Sequence, residues 1–241
     1  MGNHLATSLP LATHIFSSPL KRAVATASAI RDDLVKLDVS PARVPELVGV
    51  SLLRERDFGY LEGKPFGLKA SDQPLSPGAA PKKEPESREM MAVRMNAFID
   101  DYILPLLSVE AIEPESQTTV LVISHGVILT ILWKCILDQL YHAYIHLSDE
   151  VRSQEDSIKP NFVVGWSNTA FLQLCFTSRQ PSQATGEGLK KLGAWSVEIE
   201  ELGCVDHLDG LKRARGGIGS AEHDPSQKSL DSFFMRKPRL S

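Results

Sequence analysis

Four short stretches of this 241-residue chain combine residue types that can handle an anionic group. The first is Ser17-Ser18-Pro19-Leu20-Lys21-Arg22-Ala23, where a β-like run ends and a helix begins. Proline suits the first helical turn, and a helix start offers free backbone N–H groups at the positive end of its dipole. An arginine placed one turn in can grip a phosphate with two parallel hydrogen bonds. The same pattern also fits a capped helix with a surface arginine. The second stretch, Leu53-Arg54-Glu55-Arg56-Asp57-Phe58-Gly59-Tyr60-Leu61-Glu62-Gly63, is turn-rich. A carboxyl group such as Glu55, held between apolar and basic neighbours, can act as a general acid, although a plain charged loop has the same composition. The third is Val122-Ile123-Ser124-His125-Gly126. A histidine at the C-terminal end of a buried strand, before a glycine and a helix, stands where α/β sheets place ligands, or is a satisfied core residue. In the fourth, Trp166-Ser167-Asn168-Thr169-Ala170, Asn168 either orients a ligand or makes a turn.

The elements that must hold these stretches follow from hydrophobic spacing. Residues 14–17 are β-like, and residues 19–37 repeat Leu20, Ala23, Ala27, Ile30 and Leu34 at helical intervals. A second helix starts at Glu86, with Met91, Met95, Phe98, Tyr102 and Leu106 as its apolar stripe. Residues 119–123 are uniformly apolar, as expected of a central parallel strand covered on both faces, and a helix runs from there to about Leu140. Residues 64–85 and 146–160 read as solvated loops, and residues 169–176 and 195–201 as two more strands. Residues 1–9 have the pattern of a helix end. Strand–helix alternation around a buried strand makes the fold class α/β.

Bulk properties exclude several classes. A net charge of −4 does not suggest a chain held to nucleic acid by its overall field, so no direct nucleic-acid binding is expected. Cys135, Cys175 and Cys204 are far apart and lack metal-ligand spacing; Cys135 and Cys175 lie in apolar runs that suit small buried side chains. Residues 120–137 are apolar, but Ser124, His125, Gly126 and Lys134 interrupt them, so a membrane span is not expected.

In this order, Ser-Ser-Pro-Leu-x-Arg-Ala, Leu-x-Glu-x-x-x-Gly-x-x-Glu-Gly and Ser-His-Gly before an apolar helix resemble the histidine phosphatase (phosphoglycerate mutase-like) superfamily across about residues 1–205. The resemblance implies a three-layer sandwich with a mostly parallel central sheet. It implies that Arg22 binds phosphate, that Glu55 gives a proton to the leaving group, that His125 stabilises the transferring phosphoryl, and that Asn168 lies near the pocket. The implied activity is phosphomonoester hydrolysis through a phosphohistidine, on a phosphorylated small molecule or phosphoprotein, with no metal or other cofactor. The family opens with a strand ending in Arg-His-Gly, whose histidine attacks phosphorus, and no Arg-His-Gly occurs in this sequence. His4 and His14 are the only early histidines, and neither matches that nucleophile. The retained Arg22, Glu55 and His125 favour a truncated product over an inactive descendant. The expectation is therefore an N-terminally incomplete domain over residues 1–205, inactive or nearly so.

Residues 206–241 differ in kind. They are Gly-, Arg- and Ser-rich and basic, have lost the core pattern, and are expected to be disordered until a partner orders them. Within them Gln227, Leu230, Phe233 and Phe234 match the PIP-box of proteins that dock on the sliding clamp PCNA. In a single 3₁₀ turn, residues three apart face one side, so Leu230, Phe233 and Phe234 can form one apolar plug, with Gln227 offering a donor and an acceptor. A chance match is the alternative, but adjacent exposed aromatics in a polar tail usually mark a binding site. The expected location is nuclear and/or cytoplasmic. Two functions compete: a phosphatase-family enzyme that docks on the clamp, or a non-enzymatic clamp-binding protein that keeps the fold as a scaffold.

Overall fold

The structure is a computed structural model, and it describes residues 11–37, 44–63, 83–112, 118–153, 164–179 and 190–210. The segments 1–9 and 64–82, and the tail motif Gln227, Leu230, Phe233 and Phe234, lie outside the described residues. Strand β1 (His14–Ser17) leads into helix α1 (Lys21–Leu37), and β2 (Leu47–Gly49) follows. Helix α2 (Arg88–Phe98) passes through a π-helical turn, Ile99–Ile103, into α3 (Leu104–Ile112). Then come β3 (Val120–Ile123), α4 (Gly126–Gln139), β4 (Ile145–Leu147), α5 (Asp149–Ser153), β5 (Phe171–Ser178) and β6 (Trp195–Cys204). The compact body reaches His207.

The strands form two three-stranded sheets, β2-β1-β3 and β4-β6-β5. The first is parallel throughout, with Ser17 opposite Gly49 on one side and Ile123 on the other. In the second, β4 is parallel and β5 antiparallel to β6. The architecture is thus α/β with mostly parallel pairing.

Side chains alternate across the first sheet as the pleat requires. Ile15, Leu47, Leu121 and Ile123 pack on the Ala27, Ile30 and Leu34 stripe of α1. Phe16, Val120 and Val122 face the larger core, which holds Met91, Met95 and Phe98 of α2 and Ile128, Ile131 and Leu132 of α4. Phe98 and Tyr102 stack at 5.3 Å, and both meet Phe16 edge-on, at 6.0 and 5.2 Å. The π-helical turn begins directly after Phe98 and carries Tyr102 itself, and such wide turns shift the side-chain row of a helix.

Three expectations are corrected. β3 is covered on both faces as expected, but among the described residues it is an edge strand rather than a central one, paired with β1 alone, and its four residues are half-buried. Its uniform apolar run reports contact with both side layers but not the number of neighbouring strands. Residues 146–160 are not simply loop, since β4 and α5 occupy part of them. Three residues on the edge of a sheet are too few for alternation to register in sequence. Cys175 is exposed, while Cys135 and Cys204 are buried. The apolar run around Cys175 is an outer strand, β5, whose outward face carries it. No helix among the described residues is long and apolar enough to cross a membrane.

Phe98 is fully buried at the centre of the aromatic group. Phe98→Ala is expected to lower stability by about 3–5 kcal/mol, the usual cost of removing a buried ring and leaving a cavity. Urea unfolding followed by tryptophan fluorescence measures this.

Candidate active site

The site forms where β1 and β3 end together. Because these strands are parallel and in register, their C-terminal ends lie side by side, and the amide of Ser18 still donates to the carbonyl of Ile123 at 2.9 Å. Beyond that point one chain turns into α1 and the other into α4. His125 has extended backbone angles and is the residue before α4; its carbonyl accepts from Leu129 N at 2.9 Å, closing the first turn. Two helix starts therefore point their free N–H groups at the same place.

His125 is buried and both ring nitrogens are engaged. Arg22 Nε lies 2.9 Å from Nδ1, and Ser18 Oγ lies 2.8 Å from Nε2. Arginine has no lone pair to offer, so Nδ1 must be the acceptor. The ring proton then sits on Nε2 and is donated to Ser18 Oγ. Ser18 is fully buried, and its Oγ also accepts from the amide of Leu20 at 3.3 Å. Burial and then the Arg22 charge hold the His125 pKa below that of a free imidazole, while Glu55 opposes them. The imidazole is neutral and fixed in one tautomer. The Arg22 side chain is otherwise largely exposed, and its terminal nitrogens have no hydrogen-bond partner among the described residues. They present two N–H edges beside His125, the geometry that an oxyanion fits.

Glu55 approaches from the other side. Its Oε1 accepts from the amide of Arg56 at 2.8 Å and from that of Ile128, in the first turn of α4, at 3.3 Å. Its segment is tied to β3 by Ser124 Oγ, which donates to the carbonyl of Leu53 at 2.6 Å. Gly59 closes the segment at φ 51°, and a Cβ there would lie 2.2 Å from the carbonyl oxygen of Lys83, so only glycine fits. Gly126 is less tightly confined: a Cβ there would lie 3.3 Å from Trp166 Cβ, a close contact that a small shift of the neighbour would relieve.

Arg22, Glu55 and His125 are thus brought together. Asn168 lies exposed in the turn before β5, where the neighbouring Thr169 has φ 62°. Its carbonyl accepts from Thr169 Oγ1 at 2.6 Å, and among the described residues no side-chain bond joins it to Arg22, Glu55 or His125. His14 is at the opposite end of β1, roughly 10 Å along the strand, with Nδ1 on Thr13 Oγ1 at 3.0 Å. Among the described residues no three His, Cys, Asp or Glu side chains gather as a metal set.

Sequence reasoning gave no role to Ser18 and missed an ion pair beneath the Glu55 segment. Glu86 and Arg94 are both buried and meet through two hydrogen bonds, Nε to Oε1 at 3.0 Å and Nη2 to Oε2 at 2.8 Å. Burial pushes the Glu86 pKa up, but the bonds from Arg94 and from the Asp57 amide outweigh it and hold the carboxyl ionised. The readable signal was Arg94 itself, a cation between Met91 and Met95 on the apolar stripe of α2.

A parallel sheet whose strand ends bring an arginine and a buried histidine together at two helix starts defines an α/β protein with a site whose chemistry suits an oxyanion. The sequence model of the histidine phosphatase superfamily (branch 1) matches residues 2–150, and the chain belongs to that superfamily. A protein of Schizosaccharomyces pombe described as a probable phosphatase is 29% identical over 226 residues, covering 92% of this chain. This chain spans 63% of that relative's length.

An anion at Arg22 favours the protonated imidazole, so binding should take up a proton at His125. Sulfate, whose charge is constant over this range, should raise the His125 pKa and bind more tightly as pH falls. Imidazole NMR titration with and without sulfate measures it; an unmoved pKa would show that His125 does not face the anion.

Proposed function

We propose that the protein is a phosphomonoester hydrolase of its superfamily, acting on a phosphorylated small molecule or phosphoprotein once a nucleophilic histidine completes the site. The 241 residues alone bind the phosphoryl group without turning it over. The observation that supports this most is the Arg22–His125 contact at the shared end of β1 and β3, with Glu55 held at the start of the same helix. In the reaction, a nucleophilic imidazole forms an N–P bond as the ester P–O bond breaks, and the leaving oxygen takes a proton from Glu55. Water then breaks the N–P bond. Arg22 and His125 offset the charge on the equatorial oxygens, a task that fixed donors in a partly dry site perform well. Among the described residues β3 pairs with β1 alone, and a parallel strand on its other side would end beside His125, where a histidine could face the phosphoryl group.

Purified protein should show no p-nitrophenyl phosphate turnover above background, yet bind inorganic phosphate. Arg22→Ala should weaken that binding roughly 10- to 100-fold, the worth of a charge-assisted hydrogen bond. A robust rate abolished by His125→Ala would instead make His125 the nucleophile.

We further propose that Gln227, Leu230, Phe233 and Phe234 dock the protein on the sliding clamp PCNA, which requires a nuclear population. The support is the residue pattern: an aliphatic and two aromatics that one 3₁₀ turn would gather on one side. A peptide of residues 220–241 should bind the clamp with an affinity on the order of micromolar, since it must be ordered on binding. Phe233→Ala with Phe234→Ala should abolish binding, as aromatic anchors dominate such contacts, and Gln227→Ala should weaken it less. Calorimetry decides between docking and coincidence; a native peptide that does not bind at high micromolar concentration rules docking out. Clamp binding without any phosphate affinity in the body would favour the non-enzymatic scaffold.

A further inference from the structure

Residues 54–58, which carry Glu55, belong to no helix or sheet ladder. Such a segment has backbone groups to satisfy and little of its own to fix where its side chains go. Here the buried Glu86–Arg94 pair satisfies them. Arg94 Nη1 donates to the carbonyl of Arg54 at 2.8 Å and also to the carbonyl of Leu52. Glu86 Oε2 accepts from the amide of Asp57 at 3.2 Å, and the Glu86 backbone exchanges with the same residue, its N–H donating to the Asp57 carbonyl at 2.7 Å. Arg56 Nε donates to the Glu86 carbonyl at 2.9 Å, and the Arg54 guanidinium lies 3.8 Å from Glu86 Oε1. The backbone on both sides of Glu55 is therefore bonded to one ion pair.

We infer that Glu86 and Arg94 are positioning residues for Glu55, a clamp that holds its carboxylate at the first turn of α4 against His125. A buried ion pair is a poor way to gain stability alone, because well-packed apolar residues often do as well. What apolar residues cannot supply is two donors and an acceptor aimed at Leu52, Arg54 and Asp57. The fork of Arg94 matters as well as its charge: Nε and Nη2 hold Glu86 while Nη1 holds the segment, and a single ammonium cannot span both. The inference rests on Glu55 and His125 forming one site, as proposed above, but its test does not depend on turnover.

The groups bearing on the His125 ring are Arg22, Glu55 and Ser18, so the NMR-measured His125 pKa reports whether Glu55 is in place. Glu55→Gln should lower it by removing a nearby negative charge. Arg94→Lys, which keeps the charge but loses the fork, should lower it by most of that same step. In the Glu55→Gln background Arg94→Lys should add nothing. A pair that only stabilises the fold would lower the melting temperature of Arg94→Lys and leave the His125 pKa where it was, which would overturn the inference. An unmoved His125 in Glu55→Gln would overturn it equally. If the Arg94→Lys chain does not fold, Glu86→Gln gives the same readout with a milder change, since the amide keeps the side chain's shape and one acceptor oxygen. A chain that binds no phosphate but still shows this non-additive pattern would refute the phosphoryl site and retain the clamp.

Discussion

The in-register pairing of β1 with β3 is the constraint from which the site follows. Ser17 stands opposite Ile123, so the next residues on each strand, Ser18 and the Ser124–His125 pair, leave the sheet at the same level. A slip of one residue would turn every side chain to the opposite face, exchanging the core of α1 for the core of α2 and α4. Ile15 and Phe16 are both buried but on different sides, so each register position is specified by two separate packings. The Ser18–His125 hydrogen bond is then a consequence of strand pairing rather than of any loop conformation. The carbonyl of Ser17 also accepts from Val50 N at 2.8 Å, so the same point ties in the chain that leads to Glu55.

Electrostatics at this point are deliberate in sign. Two helix starts and the Arg22 guanidinium make it positive, and a further fixed charge on His125 would cost more there than in water. The fold keeps the imidazole neutral by burial and by placing Arg22 at Nδ1. The arrangement leaves a place for one negative charge, which an arriving anion can supply. Glu55 supplies part of it from the side, bonded to the amide of Ile128. That location keeps the carboxyl group beside His125 without placing it on the exposed guanidinium edge of Arg22.

Much of this was legible in the sequence, and the limits have physical causes. The β-like run at residues 14–17 and the helix through Leu37 coincide with β1 and α1, because alternation and the 3.6-residue period report burial directly. Ser124-His125-Gly126 at the end of an apolar run is where the structure places it. What periodicity cannot report is the partner. The apolar run of β3 gives no sign that it stands at the edge among the described residues, and nothing local tells that Ser18, 107 positions from His125, accepts its ring N–H. Glu86 precedes Ser87, whose side chain caps α2 by accepting from Met90 N at 3.2 Å, so the local pattern reads as a helix start and hides the ion pair. The cation among methionines was visible; its task was not, since that lies in the backbone of Leu52, Arg54 and Asp57.

Helix α2 joins these parts into one unit. Phe98 on it packs against Phe16 of β1, the strand that ends at Ser18. Arg94, one turn earlier on the same face, holds the carbonyls of Leu52 and Arg54, just before Glu55. Asn96 accepts from Gln139 of α4 at 2.6 Å, and the thiol of Cys135 in α4 lies 3.8 Å from the carbonyl of Ala92. The helix thus touches the strand behind Ser18, the segment of Glu55 and the helix that starts after His125. A packed helix is far stiffer than an irregular segment, and densely packed interiors transmit displacement rather than absorb it. The distance between the Arg22–His125 pair and Glu55 is therefore set by a rod to one side of the site, and not by the turn-rich chain that runs between them.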